Sequence, residues 1–263
     1  MDIDRRAFFA SLGGAAAVAL LSDEAKADAL EQHLMTPAPA GFPSVAELED
    51  QVVTRKTRRG AGNLFFAQSG TVPRLERMPE QPTLADYFRL RFMATSNHCL
   101  QSANRALHTG LSEEIVLACL LHDTVQELIK VDHGWWGAQM FEPYVSPKVT
   151  FAIRYHQALR FYEDTAHGYV YPDLYRRVFG HDYRPEPYIE RTYQMVRRHK
   201  WYLEPRMVTV NDLYAFDPMV HPQLDQFTDI IGRHFKQPRE GLGFDGSATA
   251  HMWRSIAMPD HPL

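Results

Sequence analysis

The chain has 263 residues, of which 45% are hydrophobic and 23% are charged, and its formal net charge is −4. This composition is typical of a globular protein with enough apolar material for a buried core, which excludes low-complexity and disordered classes. The slightly acidic balance provides no broad basic surface for nucleic acid, and two cysteines are too few for a disulfide framework. We therefore expect one folded domain without a nucleic-acid partner.

Residues 1–27 have the order of a removable targeting signal. Arg5 and Arg6 come first, an apolar run over residues 10–21 follows, and the small residues Ala25 and Ala27 end the segment. The run is shorter than the roughly 20 residues of a membrane-spanning helix, so stable membrane insertion is not expected. The paired arginines resemble a twin-arginine signal, which implies the twin-arginine export machinery as a partner and a periplasmic or extracellular location. An amphipathic N-terminal helix is the alternative interpretation.

Residues 28–82 predict an irregular leader, because Pro, Gly, Arg and Thr are dense from residue 36 onward. Residues 83–263 predict an all-α domain, since apolar residues recur at helical spacing and no segment sustains the alternation of a strand. Ser112 is expected to cap one helix, and Ser146 with Pro147 another. The predicted helices cover residues 83–110, residues 112–129, a segment that carries His133, a segment that opens at Ser146, residues 189–201, a short segment around Asp212, and residues 223–235. A loop rich in Tyr, Pro and Gly is predicted over residues 169–187.

The adjacent pair His122 and Asp123 lies in an otherwise apolar stretch. Burying two such polar groups is unfavourable unless something compensates them, and a metal ion would do so. Imidazole and carboxylate together suit first-row transition metals. A single histidine on an apolar face is more often a core residue than a ligand, but the chain offers several further candidates. These are His98, His133, His156 and Asp212.

The order His98, then His122 and Asp123, then a distant Asp212 resembles the HD-domain superfamily of helical metalloproteins. The additional His133 and His156 are similar to its two-metal branch, which includes the mixed-valent diiron oxygenases myo-inositol oxygenase and the oxygenases that cleave hydroxylated phosphonates. The resemblance covers about residues 87–235 and implies an HD-domain helical bundle around a dinuclear metal site.

The resemblance also implies roles for the candidate ligands. His98, His122, Asp123 and Asp212 would hold one iron, His133 and His156 the other, and Asp123 would bridge them. Dioxygen would be the co-substrate in the oxidative cleavage of a C–C or C–P bond, and Mn²⁺ or another divalent metal is the alternative to iron. The small-molecule substrate would be polar, hydroxylated and anionic.

Several positions near these ligands depart from the oxygenase patterns. Gln126 and Phe216 stand where inositol oxygenase has substrate-binding lysines, and Gln157 stands where it has a serine. Arg160 replaces a lysine that meets the anionic group in the phosphonate enzymes, and a guanidinium there could bind a carboxylate or phosphonate. The alternative for Arg160 is a surface position or a pair with Glu163.

Two further residues complete the predicted site. Tyr87 lies near the position of a tyrosine that covers the vacant iron in the phosphonate enzymes. Glu127 matters for the main alternative function, a metal-dependent phosphohydrolase, because residues 122–127 also resemble the corresponding segment of guanosine-tetraphosphate hydrolases. Glu127 would then act on the attacking water. A metal-binding protein without catalysis is the third possibility.

Overall fold

The computed structural model describes residues 76–126 and 128–258, except for the side chains of residues 93 and 94. Within these ranges the chain is all-α, as the sequence predicts, with ten α-helices, two 3-10 helices and no strand. The nearest approach to a sheet there is an isolated bridge between Asp164 and Tyr169. The predicted signal, most of the leader and Glu127 lie outside the described residues.

The helices are numbered in chain order. They are α1 (Leu84–Leu90), α2 (Met93–His108), α3 (Glu113–Leu121), α4 (His133–Phe141), α5 (Pro147–Leu159), η1 (Thr165–His167), α6 (Asp173–Phe179), α7 (Pro187–Val196), α8 (Leu203–Leu213), η2 (Leu224–Phe227), α9 (Thr228–His234) and α10 (Ala250–Ala257).

Local sequence signals determine where several helices begin. Thr83 caps α1 in a capping box with Asp86, and Ser112 caps α3 by accepting a hydrogen bond from the Ile115 amide. Ser146 caps α5, and Pro147 stands in its first turn, where the missing N–H has no intrahelical partner to lose. The predicted caps at Ser112 and Ser146 are therefore confirmed.

Helix α5 lies at the centre of the bundle and packs against α8, α4 and α3, while α2 packs against α3 and α8. The apolar core surrounds these helices and includes Leu117, Leu121, Phe141 and Ile153, all of which are fully buried. Cys99 and Cys119 are buried free thiols, as expected. Among the described residues, no helix is long and apolar enough to cross a membrane.

Two predicted helices differ from the structure near the functional residues. The single helix expected over residues 83–110 is divided at Arg91 and Phe92, where the Arg91 side chain donates to the carbonyls of Ile256 and Ala257. The helix expected to continue to residue 129 ends at Leu121, and turns follow it. The sequence analysis predicted His122 and Asp123 inside this helix. They instead follow its carboxyl end.

The remaining corrections concern the second half of the chain. The segment predicted as a loop over residues 169–187 contains α6, and the helix predicted for residues 189–201 spans Pro187–Val196. The helix that carries Asp212 is not short, since α8 begins at Leu203. The helix predicted over residues 223–235 is η2 followed by α9, and α10 was not predicted.

Candidate metal centre

The six candidate ligands, which come from distant parts of the chain, lie together inside the bundle. They form two groups that could each hold a metal ion, His98 with His122, Asp123 and Asp212, and Asp123 with His133 and His156. His98 lies on α2, His122 and Asp123 follow α3, His133 begins α4, His156 lies on α5, and Asp212 lies on α8. The structure thus brings all the predicted ligands to one place.

Asp123 belongs to both groups. Its Oδ1 lies 2.9 Å from Nε2 of His133 and 3.5 Å from Nε2 of His156. Its Oδ2 lies 3.5 Å from Nε2 of His98, and Nε2 of His98 is also 3.0 Å from Oδ1 of Asp212. One carboxylate therefore directs its two oxygens toward different histidines.

All four imidazoles direct Nε2 toward the cluster. Their Nδ1 atoms instead lie 2.7 to 3.0 Å from backbone carbonyl oxygens, which belong to Ala215 for His98, Cys119 for His122, Lys130 for His133 and Ile153 for His156. Because a carbonyl oxygen only accepts, Nδ1 carries the proton in the neutral form of each ring, and Nε2 then presents a lone pair. This tautomer is the one that binds a metal through Nε2.

Several buried atoms of the cluster have no hydrogen-bond partner in the part of the chain that the structure describes. They are Nε2 of His98, Nε2 of His122 and Oδ1 of Asp123. Imidazole lone pairs and carboxylate oxygens repel each other at these separations, and unsatisfied buried polar atoms are costly. A cation between them would remove both penalties, so the donor set fits a metal ion.

The carboxylates attract positive charge to the cluster. Burial on its own lowers the pKa of His122, but Asp123 and Asp212 outweigh it and raise that pKa to about 9. Burial lowers the pKa of His156 to about 4 in spite of the Asp123 carboxylate. Although burial opposes ionisation, the surrounding histidines hold the pKa of both Asp123 and Asp212 below the usual range. Both carboxylates are therefore available as anionic ligands.

Close packing of α4, α5 and α8 fixes the positions of the second group. The Thr209 hydroxyl on α8 donates to the His156 carbonyl at 2.9 Å. A Cβ added at Gly134 would lie 2.7 Å from the Ile153 carbonyl oxygen and 3.0 Å from the His156 ring, so only glycine allows this approach of α4 to α5. His98 and Asp212 are the most exposed of the six candidate ligands, and their side chains are 13% and 12% exposed.

Three other predicted residues lie close to the ligands. Gln126 donates from its amide to Oδ2 of Asp123 at 2.9 Å, so it contacts a ligand directly. Arg160 follows α5 one turn after His156, and Gln157 is the residue next to that histidine. Phe216, which is 70% exposed, stacks on the His98 ring with 4.5 Å between the centroids.

The structure places Tyr87 in the apolar core. Its ring is fully buried and packs edge-on against Trp253, and its hydroxyl donates to the Trp253 carbonyl at 2.8 Å. The phenol is thus committed to a backbone carbonyl, and the role in covering a metal stays a prediction.

Two tyrosines near the site were missed by the sequence analysis. The Tyr169 hydroxyl donates to the Arg160 carbonyl at 2.6 Å, and the Tyr175 hydroxyl accepts hydrogen bonds from the Arg160 side chain. Both belong to the segment that was predicted as an irregular loop rich in tyrosine. Only the density of tyrosine there could have drawn attention to them.

Comparison with known proteins does not assign the chain to a family. A scan against protein-family models finds no match, and a search of curated proteins finds none either. A proposal for function therefore depends on the residues of the centre and on their resemblance to the HD pattern.

Proposed function

We propose that this chain is an HD-superfamily dinuclear iron oxygenase that cleaves a C–C or C–P bond of a small, anionic, hydroxylated substrate. The observation that carries the proposal is the position of Asp123 between two ligand groups, with Oδ1 toward His133 and His156 and Oδ2 toward His98. A carboxylate shared in this way offsets the repulsion between two cations that lie close together.

The nature of the donors favours iron. Four imidazoles and two carboxylates form the cluster, and this mixture suits a metal that changes its oxidation state. An iron pair bound there would supply the chemistry that activates dioxygen. The protein contributes orientation, since Gln126 fixes the Asp123 carboxylate and backbone carbonyls fix the four rings.

The charge near the centre supports an anionic substrate. Two divalent cations would exceed the charge of the two carboxylates, Asp123 and Asp212, and Arg160 adds a further positive charge. An anionic group on the substrate would bind to this excess, and its hydroxyl would lie toward the metals. Gln157, next to His156 on α5, would contact the same molecule.

The proposal includes export through the twin-arginine pathway. The order of residues in 1–27 supports it, with Arg5 and Arg6 ahead of a short apolar run. Because that pathway carries folded proteins, the chain would reach the periplasm or the exterior with its metals already bound.

Metal analysis with electron paramagnetic resonance on anaerobically prepared protein tests the proposed function. We expect about two irons per chain and a coupled mixed-valent signal. His133→Ala removes a ligand from the second group alone, so it should leave about one iron and abolish the coupled signal. His108→Ala, at an exposed histidine on α2, should change neither.

Other outcomes would contradict the proposal. One metal per chain, or a redox-silent metal pair with phosphatase turnover, would indicate the phosphohydrolase instead. Tightly bound metal without an open coordination position and without turnover would indicate a metal-binding protein that is not an enzyme.

A further inference from the structure

The segment after α5 fixes Arg160 at two points. The Tyr169 hydroxyl donates a hydrogen bond to the backbone carbonyl of Arg160. Arg160 donates from Nε and Nη2 to the Tyr175 hydroxyl at 3.1 and 2.5 Å, and its Cζ lies 4.8 Å from the centroid of the Tyr175 ring. A long, flexible side chain is thereby restricted to one orientation beside the metal centre.

Among the described residues, no carboxylate forms an ion pair with the Arg160 guanidinium. Burial lowers the pKa of Arg160, but Tyr175 and the carboxylates of Asp212 and Asp123 outweigh it and raise that pKa. Burial chiefly raises the pKa of Tyr175, so its hydroxyl is neutral at neutral pH and orients the guanidinium without neutralising it. Glu163, the alternative partner, instead accepts from the Tyr171 amide.

The contact with Tyr175 uses only part of the guanidinium. Arginine has five N–H donors in a planar fork. Within the described residues, the side-chain hydrogen bonds of Arg160 use Nε and Nη2 and leave the donors on Nη1. The edge formed by Nη1 and Nη2 has the spacing that a carboxylate or phosphonate accepts through two oxygens.

We infer that Tyr175 is a positioning residue that holds the Arg160 fork so that its remaining edge receives the anionic group of the substrate. The identity of that substrate rests on the proposed function, but anion binding at Arg160 can be measured without turnover. Tyr175 would act through Arg160 and would not contact the reacting bond.

The test uses Tyr175→Phe, which removes the hydroxyl and keeps the ring. Because Tyr175 is only partly buried, the loss of one oxygen should leave the packing of α6 unchanged. The matched control is Tyr171→Phe, at a ring that packs against Tyr175 at 5.8 Å on the same segment. The probe is methylphosphonate, titrated calorimetrically into the iron-loaded protein, with the uncharged dimethyl methylphosphonate as a comparison ligand.

We expect Tyr175→Phe to weaken methylphosphonate binding about tenfold at unchanged iron content, and Tyr171→Phe to leave it as in the native protein. In the Arg160→Gln background, Tyr175→Phe should have no further effect, because the two residues would act as a unit. With a turned-over substrate, Tyr175→Phe should raise KM more than it lowers kcat.

Three results would overturn the inference. They are native methylphosphonate binding in Tyr175→Phe, an equal loss in the presence and absence of Arg160, and no binding by the native protein. Anion binding that depends on Tyr175 in a protein without oxygenase turnover would refute the proposed function alone. Oxygenase turnover with anion binding unaffected by Tyr175→Phe would refute the inference alone.

Discussion

At the scale of single residues, two glycines of α4 lie in different surroundings although they are one turn apart. A Cβ at Gly134 would lie 2.7 Å from the Ile153 carbonyl oxygen. That oxygen also accepts the hydrogen bond from Nδ1 of His156. A Cβ at Gly137 would have its nearest contact at 3.5 Å, to Ile153 Cγ2, which is ordinary van der Waals distance. The first glycine therefore bears on the metal centre and the second does not.

Gly134→Ala should accordingly displace α4 or turn the His156 ring and lower the metal content of the second ligand group. Gly137→Ala is the matched control and should retain both metals, with stability unchanged or raised by up to about 1 kcal/mol through helix propensity. Metal analysis and urea unfolding of the two variants measure these effects. Equal metal contents in both variants would contradict the importance of the close approach.

The sequence could predict the six residues that the structure brings together because their chemistry is conspicuous. His122 and Asp123 interrupt an apolar stretch, and the other four residues follow in the HD order. It could not predict the contacts of Gly134 or Tyr175, because these depend on which helices meet across the bundle. The contact between Tyr87 and Trp253 was unpredictable for the same reason, since Trp253 lies on a helix that the sequence analysis did not predict.

At the scale of elements, a buried arginine joins α8 to the segment after α5. Arg206 is fully buried and donates to the Tyr202 hydroxyl and to the carbonyls of Leu159 and Tyr162. Its charge lies 3.6 Å from Asp164, which also accepts from Tyr202. Because α8 carries Asp212, these contacts hold a candidate metal ligand in a fixed position relative to α5.

Asp164→Asn should destabilise the protein by about 3 kcal/mol at neutral pH, because it leaves a buried guanidinium without its counter-charge. Burial opposes ionisation of Asp164, but hydrogen bonds from Tyr202 and His167 outweigh it and lower its pKa below the ordinary 3.8. A lowered pKa contributes stability that is present above pH 3.8 and is lost as the pH falls through the folded-state value.

Urea unfolding of the native protein and Asp164→Asn across this pH range measures the effect. The difference in free energy of unfolding should be largest near pH 7 and should shrink below about pH 4. Asp173→Asn, at an exposed carboxylate paired with Arg176, serves as the control and should differ little from the native protein at any pH. A difference that stays constant with pH would contradict the role given to Asp164.

Helix boundaries show what local sequence does and does not determine. Ser112, Ser146 and Pro147 mark helix starts because a cap is a local interaction. The end of α3 could not be foreseen, since Val125 continues the apolar pattern while the Thr124 hydroxyl turns back to the Leu121 carbonyl. Helix α10 buries Ala250, Trp253 and Ala257 at helical spacing, so its pattern was recognisable, but the helix is short and follows a glycine-rich stretch.

At the scale of the whole molecule, the proposed export depends on an arginine pair rather than on positive charge as such. The double substitution Arg5→Lys with Arg6→Lys preserves the positive charge. It should therefore abolish export only if the export machinery recognises the two arginines specifically. Arg58→Lys with Arg59→Lys is the matched control outside the signal and should leave export unchanged. Fractionation of cells that express each variant, followed by immunoblotting, measures the outcome, and unaffected export of the first variant would contradict the twin-arginine assignment.

The hydrogen bonds that orient the imidazole rings bear on whether this protein folds before or after it binds metal. For His122, His133 and His156, the carbonyl that fixes the ring lies three residues earlier in the same turn of chain. The rings are thus oriented by folding itself, and the apoprotein should acquire its metals only after it has folded. If the chain crosses the membrane folded, the metal pool of the cytoplasm, rather than that of its destination, decides which ions it carries.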